Sequence, residues 1–251
     1  MTKKPLYTRE EFEELRRESA KKMAEDKALL GDALDVKVRA GHQYYWVHQT
    51  NWFGEPVLLL PPDLFALQEV FFKSRPKFVI ELGVAWGGSL LFYSTLMEAL
   101  GGEAVIGVDI FIPDDLRERL NAYGKLSERI VLINGSSVEE DTLNQIKGII
   151  GDSREVMIIL DSFHTQDHVL KELRLYSPLV GKGYYLICAD TVIEYQPEVE
   201  KRPRPWGPGN NPKTALDEFF KENDRFKVDK TLENKLLLTT NPGGYLACIR
   251  D

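Results

Sequence analysis

The sequence predicts an α/β protein built on a mostly parallel sheet with helices on both faces. Three observations carry this. Uninterrupted apolar strands alternate with amphipathic helices through most of the chain. The stretch Phe78-Val-Ile-Glu-Leu-Gly-Val-Ala-Trp-Gly-Gly-Ser89 reads as a buried strand ending in a carboxylate, a glycine-bearing turn and a helix start. After one intervening helix, Ala104-Val-Ile-Gly-Val-Asp109 is a second apolar strand that ends in an acid. In open parallel sheets ligands bind beyond the carboxyl ends of the strands, and an acid at the second strand end commonly accepts hydrogen bonds from ribose hydroxyls.

The elements follow in order. Residues 8–30 read as one charged amphipathic helix, opened by a capping box at Thr8-Arg-Glu-Glu11. Residues 42–60 hold Tyr44, Tyr45, Trp46, Trp52 and Phe53, an aromatic-rich connector. Pro61-Pro-Asp63 starts a helix to about residue 74, stopped by Arg75-Pro76. Strands are then expected at 78–82, 104–109, 130–134, 156–160, 184–188, 235–239 and 245–250, with helices at 89–100, 114–121, 139–149, 165–176 and 214–222. Apolar strands separated by helices require cover on both faces. The last two strands are joined by Asn241-Pro-Gly-Gly244, too short for a crossover, so they are expected to pair antiparallel. Five βα units closed by such a hairpin form the Rossmann-like methyltransferase arrangement. The expected organisation is a helical and aromatic cap over residues 1–60 and a cofactor-binding domain over residues 61–251.

Composition narrows the classes. A chain of 251 residues with 43% hydrophobic content can bury one sizeable core. A net charge of −7 disfavours unassisted nucleic-acid binding, which draws on basic surface. No apolar run reaches spanning length, and Met-Thr-Lys-Lys-Pro leads into a charged helix, so a cytoplasmic protein with no membrane span is expected. Cys188 and Cys248 lie in apolar strand-like runs and read as two buried thiols.

The turn also selects a cofactor. A dinucleotide fingerprint needs a second glycine where the backbone meets a pyrophosphate. Here Val84, Ala85 and Trp86 follow Gly83, and no Lys follows Gly88 to complete a phosphate loop. A cofactor with ribose and adenine but no phosphate suits the turn, which points to S-adenosylmethionine and the spacing Glu81-x-Gly83-x-x-x-Gly87. Gly83, Gly87 and Gly88 are expected to shape the turn around the methionine portion, with Ser89 opening the helix. Asp109 is expected to hold the ribose, and Glu81 to support the turn or contact the cofactor amino group. Ser136 and Ser137, after the third strand, are expected to bond the adenine edge or cap the next helix.

Chemistry should collect at the remaining strand ends. Leu160-Asp161-Ser162-Phe163-His164 ends the fourth strand and Cys188-Ala189-Asp190-Thr191 the fifth. Neighbouring strands lie about 4.8 Å apart, so Asp161 and Asp190 can bracket one cation, and Mg²⁺ commonly takes one or two carboxylates. His164 is a general-base candidate because histidine titrates near working pH. His168 reads as a packing residue, and His42 and His48 as structural or substrate-contacting. The segment from Lys201 to Gly209 reads as a Pro/Gly loop beside this mouth, with a lid and a passive surface loop as its two readings.

The chain resembles the cephalosporin hydroxylase family. The likeness rests on Trp52-Phe-Gly-Glu-Pro, Pro62-Asp-Leu, Gln68-Glu, Arg75-Pro, Ile80-Glu-Leu-Gly with Gly87-Gly-Ser, and Gly107-Val-Asp. It continues through Gly135-Ser-Ser, Leu160-Asp-Ser-x-His, His168-Val-Leu-x-Glu-Leu-x-x-Tyr and Gly207-Pro-Gly. Despite that name, the resemblance implies a methyltransferase fold that binds S-adenosylmethionine, similar to sugar and macrolide O-methyltransferases. It implies Mg²⁺ at Asp161 and Asp190, and it aligns His164 with the family histidine. Two departures stand out. Ala189-Asp190-Thr191 replaces Glu-Asp-Thr, leaving Glu194 as the nearest substitute ligand, and Phe163 replaces a polar residue.

The resulting expectation is transfer of methyl from S-adenosylmethionine to a hydroxyl of a small-molecule, sugar or natural-product acceptor. Mg²⁺ at Asp161 and Asp190 would lower the hydroxyl pKa and His164 would take its proton. A homo-oligomer is an open possibility. Two rival classes are weighed beside it. An iron oxygenase would use an H-x-[DE] pair, but none of the four histidines has Asp or Glu two positions later. A non-catalytic cofactor-binding scaffold subunit is the alternative that the loss at Ala189 suggests.

Overall fold

Alternation along the strands sets the layers. In the computed structural model, which describes residues 6–197 and 203–251, Phe78, Ile80 and Leu82 enter one hydrophobic cluster while Val79 enters the other. The order is α1 (Arg9–Glu25), α2 (Lys27–Tyr44), β1 (Thr50–Trp52), β2 (Glu55–Val57), α3 (Pro61–Ser74), β3 (Phe78–Leu82), α4 (Gly88–Leu100), β4 (Ala104–Asp109) and α5 (Asp114–Asn121). It continues with β5 (Ile130–Asn134), α6 (Glu140–Ile150), β6 (Val156–Leu160), α7 (Gln166–Tyr176), β7 (Tyr185–Cys188), α8 (Pro212–Glu222), β8 (Phe226–Val228), α9 (Lys230–Glu233) and β9 (Tyr245–Cys248). Among the described residues β1 and β2 form a small hairpin, and the other seven strands form one sheet in the order β5-β4-β3-β6-β7-β9-β8.

Strands β5, β4, β3, β6 and β7 run parallel, and β9 pairs antiparallel with both β7 and β8. Helices α3, α4 and α5 supply one face with Leu67, Phe71, Leu91, Tyr93 and Leu116. Helices α6, α7 and α8 supply the other with Ile146, Leu173, Leu216 and Phe219. From β3 the chain crosses outward to β4 and β5, then returns to β6 on the opposite side. The resulting switch point lies between the carboxyl ends of β3 and β6, the place where open α/β sheets bind their ligands.

The expected mostly parallel sheet with antiparallel C-terminal strands is present, and three local expectations change. The single helix expected over 8–30 is two helices. The Thr8–Glu11 capping box forms, but Asp26 ends α1 and its side chain accepts from the Leu29 N–H at 3.0 Å to start α2. Residues 235–239 do not form a strand. The Asp63 carboxylate at the start of α3 accepts instead from the Thr239 hydroxyl and from the Thr240 N–H at 2.9 Å, giving that segment side-chain partners. The antiparallel neighbour of β9 is therefore β8, joined to it through α9 and a longer connection. Cys188 and Cys248 are buried free thiols, as expected.

Candidate active site

The β3–α4 turn is fixed from three sides. Gly83 adopts φ +101°, and a Cβ there would meet the Asp161 carbonyl oxygen at 2.1 Å, so glycine is needed to bring the turn against β6. A Cβ on Gly88 would meet the Pro56 carbonyl oxygen at 2.2 Å, beneath the small hairpin, and one on Gly87 would meet Leu116 at 2.8 Å. The three glycines thus serve the turn through close chain packing. Glu81, 2% exposed, accepts from the Ser89 hydroxyl at 2.7 Å and from the Tyr93 hydroxyl at 2.9 Å. Burial, reinforced by the Asp109 charge against those two hydrogen bonds, pushes its carboxyl up to about 7. Ser89 is the donor that holds Glu81.

Asp109 closes β4 and reaches the neighbouring β3–α4 turn. Its Oδ2 accepts from the Val84 N–H at 2.9 Å and the Ala85 N–H at 3.4 Å, and its Oδ1 from the Phe111 N–H at 3.2 Å. The Val84 and Ala85 amides are therefore occupied by a carboxylate and are not offered to a phosphate. Trp86, Ile110 and Phe111 are exposed around Asp109 and make an apolar rim. A ribose and a flat base suit that rim, with the remaining lone pairs of Asp109 available to hydroxyls.

Ser136 and Ser137 follow β5. The Ser136 carbonyl accepts from the Glu139 N–H at 3.1 Å. Ser137 is buried and turns toward α7, its hydroxyl donating to Glu172 at 2.5 Å. The Ser162 hydroxyl donates to the same Glu172 oxygen at 2.5 Å, and His168 Nε2 lies 3.1 Å from both serine hydroxyls. Glu172 and His168 thereby tie the loops after β5 and β6 together, so His168, expected only to pack, has a polar bridging place. The Glu172 role was not legible, because a Glu within a helix pattern normally reads as solvated. The His48 ring lies tilted against Tyr45, centroids 5.7 Å apart, within the aromatic connector.

Asp161, His164 and Asp190 meet beyond β6 and β7, with one ligand atom from each within 4.8 Å of the others. His164 Nε2 lies 3.4 Å from Asp190 Oδ2 and 3.9 Å from Asp161 Oδ1. Asp190 has a left-handed backbone (φ +55°), which Asp tolerates, and its N–H donates to the Asn241 side chain at 3.0 Å. Burial, then the charges of Asp190, Glu81 and Glu172, push the Asp161 carboxyl well above the usual range. Such an environment favours a proton or a cation at this point. Glu194 is not in this group. It accepts from the Gly209 N–H at 2.8 Å and from the Asn211 side chain at 2.5 Å, so it anchors the Pro/Gly loop rather than reaching the cluster.

That loop approaches the cluster through Trp206, whose ring stands edge-on to Phe163 at 5.3 Å and to His164 at 5.0 Å. Arg204 lies over the Trp206 ring at 5.2 Å. Lys201 and Arg202, the first residues of the expected loop motif, lie outside the described residues.

Comparison with known proteins follows the same lines. Residues 43–249 match the family described as Rhamnosyl O-methyltransferase/CmcI. Rhamnosyl O-methyltransferase of Mycobacterium tuberculosis (strain H37Rv) is 27% identical over 219 residues, covering 84% of this chain and 85% of that protein. The protein of the same name from Mycobacterium leprae is 29% identical over 212 residues, covering 82% of this chain and 87% of that protein. Among solved structures, apo CmcI superposes with a TM-score of 0.56 at 21% identity, over 81% of this chain and 78% of that one. The SAH-bound Podospora anserina methyltransferase PaMTH1 gives 0.52 at 18% identity, over 90% and 93%. These structural likenesses speak for the fold, and the sequence match speaks for descent. The chain belongs to the rhamnosyl O-methyltransferase/CmcI family and is a methyltransferase.

Proposed function

We propose that this chain transfers the methyl group of S-adenosylmethionine to a hydroxyl of a sugar-bearing or natural-product acceptor, with Mg²⁺ at the strand-end cluster. The observation that carries the reading is the convergence of Asp161, His164 and Asp190 at the carboxyl ends of β6 and β7, beside the switch point. CmcI has been solved with Mg and SAM, and the mycobacterial relatives are named for methylating a rhamnosyl group, which supports the acceptor class. The intact cluster favours an enzyme over a scaffold subunit. We further propose residues 1–60 as a cap on a catalytic domain over 61–251.

The residues suit both groups. Asp109 would hold the ribose hydroxyls, Glu81 and Ser89 would set the turn beside the methionine portion, and Ser136 would face the adenine. Asp161 and Asp190 offer hard oxygen ligands of the kind Mg²⁺ takes, with water filling the remaining positions. Bound there, the cofactor supplies an electrophilic methyl and the metal supplies Lewis acidity toward a hydroxyl. His164 would take the hydroxyl proton at Nε2, with the Asp190 carboxylate 3.4 Å away favouring the resulting charge. Trp206 and Phe163 flank His164 and restrict water at the transfer point. Holding the acceptor oxygen in line with the methyl then supplies much of the rate.

The test is calorimetry of the full chain with S-adenosylmethionine, followed by mass spectrometry of rhamnose-bearing acceptors after incubation. Cofactor binding with a methylated product is expected. Binding without product on any hydroxyl acceptor would restore the scaffold reading.

A further inference from the structure

The residues just before β9 take no part in the chemistry described so far, yet they run alongside the loop that carries Asp190. The Cys188 N–H donates to the Gly244 carbonyl at 2.9 Å, the Val192 N–H to the Thr240 carbonyl at 3.1 Å, and the Thr191 hydroxyl to the Pro242 carbonyl at 2.8 Å. A Cβ on Gly244 would meet the Cys188 carbonyl oxygen at 2.2 Å, so glycine permits this approach. Between these contacts the Asp190 N–H donates to Asn241 Oδ1 at 3.0 Å. Asn241 is 1% exposed, and Asp190 holds φ +55°. Left-handed backbone at a non-glycine residue persists where surrounding contacts over-determine it.

The orientation of the Asn241 amide is itself determined. Its Nδ2 donates to the Tyr245 hydroxyl at 3.4 Å, and that hydroxyl donates its one proton to Asp63 Oδ1 at 2.9 Å. With the proton committed to Asp63, the Tyr245 oxygen can only accept. That draws the amide nitrogen toward Tyr245 and leaves the amide oxygen facing Asp190. The Thr240 hydroxyl, 2.9 Å from Asn241 Oδ1 and 3.1 Å from Asp63 Oδ2, joins the two a second time. Asp63, Thr240 and Tyr245 are all buried, so the chain of contacts is shielded from water.

We propose that Asn241, oriented by Tyr245 and Asp63, is a positioning residue that sets Asp190 for a divalent cation. It acts on the Asp190 backbone and supplies no ligand atom of its own. Ala189, buried just before Asp190, offers no ligand atom either, so the placement of Asp190 matters correspondingly more. Ligating carboxylates depend on such outer partners for their geometry. The inference rests on the metal reading given above and deepens it, bringing residues of α3 and β9 to the strand-end site.

The experiment measures Mn²⁺ binding to the full chain by electron paramagnetic resonance, with Mg²⁺ as competitor, in wild type, Asn241→Leu, Tyr245→Phe and Cys248→Ala. Asn241→Leu removes the acceptor at similar volume, and Tyr245→Phe keeps the ring but loses the hydroxyl that orients the amide. Cys248→Ala thins the core at the end of β9 far from Asp190 and serves as the packing control. Circular dichroism checks each fold. Mn²⁺ affinity is expected to fall about tenfold in Asn241→Leu, the lower end for losing an outer partner of a metal ligand. It should fall about three- to fivefold in Tyr245→Phe, the scale of one neutral hydrogen bond, and keep its wild-type value in Cys248→Ala. Where Asn241→Leu fails to fold, Tyr245→Phe decides. Wild-type affinity in folded Asn241→Leu or in Tyr245→Phe, or an equal loss in Cys248→Ala, would overturn the inference while leaving the metal reading intact. No Mn²⁺ binding by the wild type would overturn both.

Discussion

Glu81 gives the sharpest quantitative consequence of the site's construction. It is 2% exposed, and its carboxyl is raised from 4.5 to about 7, by burial first. Below about pH 4.5 both folded and unfolded chains carry the proton and Glu81 contributes no pH dependence to stability. Between about 4.5 and 7 the unfolded chain releases the proton while the folded chain keeps it, so stability falls as pH rises. Above about 7 the cost is complete and constant. At 1.36 kcal/mol per pH unit, the interval amounts to about 3 kcal/mol. Glu81→Gln cannot ionise. Its altered hydrogen bonds to Ser89 and Tyr93 add a pH-independent offset, so the signature is the slope and not the level. Urea denaturation of both proteins from pH 4.5 to 8.5 should show wild type losing about 3 kcal/mol relative to the variant, with the change finished near neutrality. Parallel curves across that interval would refute the reasoning and return Glu81 to an ordinary carboxylate.

Two further outcomes are expected. Asp109→Ala should weaken S-adenosylmethionine binding by about 1.5–3 kcal/mol by calorimetry, the scale of hydrogen bonds to a charged group, and should also loosen the turn whose Val84 and Ala85 amides it holds. An unchanged dissociation constant in a folded variant would remove Asp109 from the cofactor site. Trp206→Ala should raise the KM for acceptor while leaving cofactor affinity within about twofold, because the ring lies against Phe163 and His164 after β6, two strands from β4 and Asp109 in the sheet order. A change in cofactor affinity alone would place the loop on the wrong partner.

Much of this arrangement was legible because it depends on short-range patterns. The run from Phe78 to Ser89 declares a strand, a turn and a helix through apolar continuity and glycine placement, and the parallel strands after it repeat the apolar signal. Asp161 and Asp190 were placed together because strand ends of neighbouring βα units share one edge of the sheet. What escaped depends on distant partners. Leu236-Leu-Leu-Thr239 has strand composition, but the buried Asp63, far away in the chain, captures its end. β8 is three residues with a lysine at its centre, too short for periodicity to register. Asp26 breaks the N-terminal helix through its own side chain, a competition that helix periodicity does not see. Glu194 is four residues beyond Asp190, yet its partners arrive from the following loop.

The most direct test of the central claim compares wild type with Asp161→Asn in transfer of labelled methyl from S-adenosylmethionine to a rhamnose-bearing acceptor in excess Mg²⁺, with cofactor affinity measured in parallel. Asp161 stands between the cofactor turn, through its contact with Gly83, and the cluster with His164 and Asp190. If methyl transfer takes place at that cluster, turnover should fall on the order of a hundredfold while cofactor affinity changes by less than about threefold. Wild-type turnover in Asp161→Asn would contradict the account and move the chemistry away from the ends of β6 and β7.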